Sequence, residues 1–116
     1  MASEETLAIL HRYFQRLLDA NLPAKGLVLY GSYARGDARS NSDIDVLVLL
    51  DDNLSEDEIF RLWPELDYLT HDIDSRIETW PVTVSRFQTD EVSPLILIAR
   101  REGIPITVQK TEAAVP

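Results

Sequence analysis

The stretch from Leu27 to Leu50, LVLYGSYARGDARSNSDIDVLVLL, constrains this chain more than any other. Two apolar runs, Leu27–Tyr30 and Ile44–Leu50, flank a small-residue turn and a short polar segment. The second run is apolar on both faces beyond Asp45, which describes a strand buried inside a sheet with layers on either side. Ile44, Val46, Val48 and Leu50 then line one face, and Leu47 and Leu49 follow Asp45 on the other.

The polar residues in this stretch fall into two groups. Asp43 and Asp45 lie two apart, so on an extended chain they share a face at roughly 6.5 to 7 Å. That spacing lets them bind one Mg²⁺ or flank a pair of ions about 3.5 to 4 Å apart. Gly31 has no side chain, so its backbone can approach a phosphate and take an unusual φ. Ser32 adds a hydroxyl and opens a short helix to about Gly36, whose first N–H groups form an anion seat. Alone, a Gly-Ser is commonly a turn, and an Asp-x-Asp is commonly solvated or capping. Separated by ten residues and set between two strand-like runs, they point together to a nucleoside triphosphate with divalent metal. Arg35, one turn beyond the seat, suits either the triphosphate or a surface ion pair.

Gly31-Ser32, Ala34-Arg35-Gly36, Ser42 and Asp43-Ile44-Asp45 together resemble the signature of the DNA polymerase beta-like nucleotidyltransferase superfamily. More narrowly, they are similar to the minimal nucleotidyltransferase (MNT) domains that act as antitoxins beside HEPN-domain toxins. The motif spans about fifteen residues, and the expected order of elements is compatible with the family along most of the chain. The resemblance implies an enzyme that moves AMP from ATP onto an acceptor hydroxyl. Two Mg²⁺ would be held by Asp43, Asp45 and a third carboxylate, with the nucleotide at Gly31, Ser32 and Arg35. The implied acceptor is a tyrosine of a HEPN toxin, whose ribonuclease activity is blocked by the attached AMP. Family members carry an acid on the strand after the Asp pair; Glu78, among the apolar neighbours Ile77 and Val82, is the choice here, with Asp74 as the alternative and a solvated edge-strand glutamate, which Pro81 favours, as the plainer reading of Glu78. The family more often has Asp at that point, and Glu is one methylene longer. Two rival readings are an aminoglycoside-type small-molecule nucleotidyltransferase and a non-catalytic module that neutralises its partner by contact.

At 116 residues and 45% hydrophobic content, one core is expected and no second domain of usual size. Larger nucleotidyltransferases often add a helical domain, so part of the site is expected from a partner or a second subunit. A net charge of −9 argues against direct nucleic-acid binding and suits a basic protein partner. The absence of cysteine excludes disulfides and thiolate metal sites. No basic leader or membrane-length apolar run occurs, so a cytoplasmic protein is expected.

Elsewhere, Ser3 caps a helix with Glu4 and Glu5 in its first turn and an apolar stripe of Leu7, Leu10, Phe14, Leu17 and Leu18. His11 reads as an ordinary surface histidine. Asn21 to Gly26 is a connection, with the first strand starting at Gly26. Ser55 caps a second helix that turns Ile59, Leu62, Trp63, Leu66 and Leu69 inward, and Pro64 predicts a kink or a break. A third strand is expected over about 76–84, with Pro81 favouring an edge. Trp63 and Trp80 are read as core residues rather than as stacking partners for a base. Ser93 and Pro94 start a helix that Gly103 ends, and a short strand follows over 104–108. The whole is expected to be α/β, a mixed sheet of about four strands with helices packed against it. Residues 1–108 form the minimal domain, and 109–116 are a flexible tail.

Overall fold

The computed structural model describes residues 2–107. In chain order, helix α1 (Glu4–Asp19) leads to strand β1 (Ala24–Tyr30) and the one-turn helix α2 (Ser32–Arg35). Strand β2 (Ile44–Leu50), helix α3 (Glu56–Tyr68) and strand β3 (Ile77–Thr83) follow. The chain then forms α4 (Val84–Thr89), α5 (Pro94–Glu102) and β4 (Ile104–Ile106). The sheet order is β3-β2-β1-β4. Strand β1 runs antiparallel to β2 and β4, whereas β2 and β3 are parallel, so the sheet is mixed as expected.

The doubly apolar run occupies one of the two central positions, and its faces divide as the alternation requires. Ile44, Val46, Val48 and Leu50 join a cluster with Leu10, Phe14 and Leu17 of α1 and Leu66 of α3. Leu47 packs on the opposite face with Val28, Val82, Ile96 and Ala99, where α5 covers the sheet. Each large aliphatic side chain fully buried in this way contributes about 1.5–3 kcal/mol.

Helix α1 begins as the sequence indicates, with the Ser3 hydroxyl accepting from the Thr6 N–H at 3.1 Å. Its buried stripe also takes in Ile9 and Tyr13, while Leu7 and Leu18 lie at its partly exposed margins. The Tyr13 hydroxyl donates to the Leu66 carbonyl at 2.7 Å and fastens α1 to α3. Three sequence expectations need correction. Strand β1 starts at Ala24 rather than Gly26, because a register shift between Ala24 and Gly26 lets pairing with β2 continue past the irregularity. Helix α3 runs through Pro64 without the break that is one of the two outcomes expected there; the proline removes only the bond to the carbonyl of Phe60, a residue that is 73% exposed. Helix α4, not expected at all, is capped by Thr83, whose side chain accepts from the Arg86 N–H.

Strand β3 is an edge strand, and Pro81 suits it. The Ile44 N–H donates to the Arg76 carbonyl at 2.8 Å, so in a parallel ladder residues 78, 80 and 82 turn their polar groups toward β2 and residues 79, 81 and 83 turn theirs outward. Pro81 thus lacks its N–H where no strand receives one, which blunts the free edge. The final strand is seen over Ile104–Ile106; Val108 and the expected tail over 109–116 lie outside the described residues.

Candidate active site

The register brings three polar residues of three neighbouring strands into one row. Tyr30 pairs with Asp45 across β1 and β2, and Asp45 pairs with Glu78 across β2 and β3. Side chains in register on adjacent strands, roughly 4.8 Å apart, project to the same face. That face is the one covered by α5 further along the sheet, and at this end it is open: Asp45 is half-buried and Glu78 exposed. Asp43 stands two residues ahead of Asp45, just before β2, and is exposed.

Gly31 follows Tyr30 and turns the chain from β1 into α2. Its φ of +80° and ψ of −156° lie where L side chains rarely go. A Cβ built there would stand 2.5 Å from Oδ2 of Asp45, so the carboxylate rests against bare backbone. The Gly31 carbonyl accepts from the Ala34 and Arg35 N–H groups at 3.0 and 3.1 Å. The N–H groups of Ser32 and Tyr33, at the open end of the turn, find no backbone partner among the described residues. Gly36, with φ of +85°, closes α2 as a left-handed cap.

The electrostatics of the row are those of crowded acids only partly compensated by a cation. Burial raises the Asp45 pKa, the charges of Asp43 and Glu78 raise it further, and Arg35 only partly opposes them. Tyr30 is pushed up to about 12 by burial first and then by Asp45 and Glu78, so its phenol stays neutral. Among the described residues, no three His, Cys, Asp or Glu side chains are arranged to hold a metal ion as they stand. Asp43, Asp45 and Glu78 are therefore gathered at one end of the sheet without forming a closed ligand cage.

Of the two carboxylates considered for the third position, Asp74 is already committed. Its oxygens meet the Arg76 guanidinium at 2.7 and 3.0 Å, and Arg76 holds its pKa below the usual carboxylate range. Arg76 also donates to the Tyr33 hydroxyl at 2.8 Å and to the Ser40 carbonyl at 3.2 Å, tying the start of β3 to α2 and to the segment before Asp43. Arg35 pairs with Asp37 at 3.3 Å and Glu102 at 3.4 Å, the surface alternative of its two readings. It still borders the same cavity as Gly31. Trp63 and Trp80 meet edge to face at 5.1 Å, and Trp63 Nε1 donates to Thr79 Oγ1 at 3.0 Å. The pair locks α3 onto β3, although Trp80 remains 43% exposed. Tyr30 joins this row without being marked in the sequence, because an aromatic ending an apolar run reads as core; the step from Tyr30 to Gly31 is the one local signal.

Residues 14–98 match the family described as Polymerase beta, Nucleotidyltransferase, and the chain belongs to that family of nucleotidyltransferases. MJ1379 of Methanocaldococcus jannaschii, which bears the name of a protein adenylyltransferase, is 40% identical over 42 residues. That match takes in 36% of this chain and 42% of the relative, so the chain spans less than half the length of the curated relative it matches. A Sulfolobus solfataricus protein named as a nucleotidyltransferase superposes with a TM-score of 0.57 at 16% identity, covering 87% of this chain and 78% of that one. A toxin-antitoxin structure with AMP-PNP gives 0.53 at 23% identity, covering 90% and 76% of the two chains. At such identities the structural likeness establishes a common fold. Among the described residues, no helix is long and apolar enough to cross a membrane.

Proposed function

We propose that this chain transfers AMP from ATP to a hydroxyl of a protein partner, and that the partner is a HEPN-type toxin modified on tyrosine, which makes the chain an antitoxin. The reading rests on one observation above the others: the Asp45 carboxylate lies against the bare Gly31 backbone and beside Glu78, in a chain of the nucleotidyltransferase family. The name borne by MJ1379 supports protein as the acceptor, and a fold relative seen as a toxin-antitoxin with AMP-PNP supports the pairing with a toxin.

Three carboxylates with no sulfur or imidazole among them suit a hard divalent cation, and the repulsion that raises Asp45 is what such a cation relieves. Asp43, Asp45 and Glu78 would hold Mg²⁺, which when bound supplies positive charge against the phosphate oxygens. The Ser32 hydroxyl and the N–H groups of Ser32 and Tyr33 seat the outer phosphates. Gly31 keeps that seat open. Arg35 exchanges Glu102 or Asp37 for a phosphate oxygen, a trade that costs little because both of its present pairs are exposed. The acceptor oxygen bonds to the α phosphorus as the bond to pyrophosphate breaks, and Glu78, at the exposed end of the row, takes the hydroxyl proton. Positioning and charge complementarity supply most of the acceleration, so few groups suffice.

The test is the intact mass of a toxin co-expressed with the chain. Wild type is expected to add the mass of AMP, and the pair Asp43→Asn with Asp45→Asn is expected to add none. Toxin inhibition that survives the double change undiminished would assign the neutralisation to contact instead of transfer.

A further inference from the structure

A cavity of about 290 Å³ opens beside the Gly31 turn, lined by Tyr30, Gly31, Arg35, Leu95 and Ile98. Two elements build it. Tyr30 and Gly31 end β1, while Leu95 and Ile98, three residues apart on α5, present one face of that helix to them. Leu95 is anchored in the cluster on this side of the sheet, and Ile98 remains 39% exposed although nothing described covers it. The Glu102 carboxylate at the end of α5 reaches Arg35 at 3.4 Å, so the end of the helix and the turn face each other across the opening.

We infer that this cavity is the seat of the nucleotide's base, with the ring held between Tyr30 and the Leu95 and Ile98 side chains. The inference rests on the proposed phosphate seat at Gly31 and Ser32 and adds to it where the rest of the nucleotide goes. One aromatic and two aliphatic side chains line the cavity together with the Arg35 cation and the Gly31 turn. That mixture suits a flat, largely apolar ring joined to a charged tail. The volume, about 290 Å³, lies just below the usual range for small-molecule pockets and is enough for a ring system. The Tyr30 hydroxyl adds a hydrogen-bonding group to an otherwise greasy slot, which gives one means of choosing among bases. A two-walled seat also suits a small domain, because it is assembled from elements that already pack on the sheet.

Two ligands separate the base seat from the phosphate seat: ATP and inorganic tripolyphosphate, each titrated with Mg²⁺ into the purified chain. Ile98→Trp fills the slot without changing charge, and Ile98→Asn makes its wall polar. Both variants are expected to bind ATP about tenfold more weakly, the size of one lost aliphatic contact, and to bind tripolyphosphate as wild type does. Retained tripolyphosphate binding also shows that the variants are folded. ATP affinity unchanged in both variants, or weakened equally for both ligands in both, would overturn the base seat while leaving the phosphate seat in place. A wild-type chain that binds neither ligand would overturn the phosphate seat itself and the inference with it.

Discussion

At the scale of single residues, the account turns on Gly31 and Asp45, which act on each other. Gly31 is required twice over, by its positive φ and by the carboxylate where a Cβ would stand. Gly31→Ala is expected to destabilise the chain by about 1–3 kcal/mol in urea titrations and to abolish nucleotide transfer, since either the turn or the carboxylate must move. Asp45 carries a cost of a different kind. Its pKa is raised by burial and by Asp43 and Glu78, so the folded chain holds the proton more tightly than the unfolded one. Stability from this group is therefore fully present below the ordinary carboxylate pKa and is lost as pH rises through the raised value. Asp45→Asn fixes the neutral form and should melt at a higher temperature than wild type near neutral pH, with the gap closing on acidification, while losing transfer activity. An equal or lower melting temperature at neutral pH would mean that the crowding is already relieved within the chain.

At the scale of elements, the site is a property of three strand ends held in register, and Arg76 is the clamp that sets them. It joins Asp74 at the start of β3 to Tyr33 of α2 and to the Ser40 carbonyl in the segment leading to Asp43. Arg76→Met is expected to slow transfer about tenfold or more through misplacement of Asp43, with the far-ultraviolet circular dichroism unchanged. A variant as active as wild type would show that the segment before β2 is held without this clamp. Much of this arrangement is legible in the sequence, because a period of two is a strong physical signal. The alternation in Ile44–Leu50 gives both faces of β2, the two-residue step puts Asp43 and Asp45 together, and Glu78 among apolar neighbours finds its row. What is not legible depends on tertiary partners. Helix α4, Val-Ser-Arg-Phe-Gln-Thr, is too short to show an apolar period, and only the Thr83 cap marks it. Pro64 looks like a break because its cost is local, yet the packing of Leu66 and the Trp63 bond to Thr79 keep α3 whole. Whether Arg35 faces a phosphate or a carboxylate depends on Glu102, which lies 67 residues away in the chain.

At the scale of the molecule, the sheet divides labour between its faces. One face is closed by α1 and α3 and is almost wholly apolar, which fixes the strands rigidly. The other is covered by α5 at Val28, Leu47 and Val82 and left open where Tyr30, Asp45 and Glu78 line up. A rigid support beneath an open row lets like charges stay close together with only Arg35 partly compensating them, at the expense of some stability. With a net charge of −9, the field of the whole chain does not favour a triphosphate, so the proposed activity requires that it enter together with its metal. The most direct measurement is therefore calorimetric titration of ATP into the purified chain, with Mg²⁺ and again with the metal chelated. The account predicts binding that requires Mg²⁺ and disappears when Asp43 and Asp45 are both changed to Asn. Binding that is indifferent to the metal, or that survives loss of both carboxylates, would contradict it.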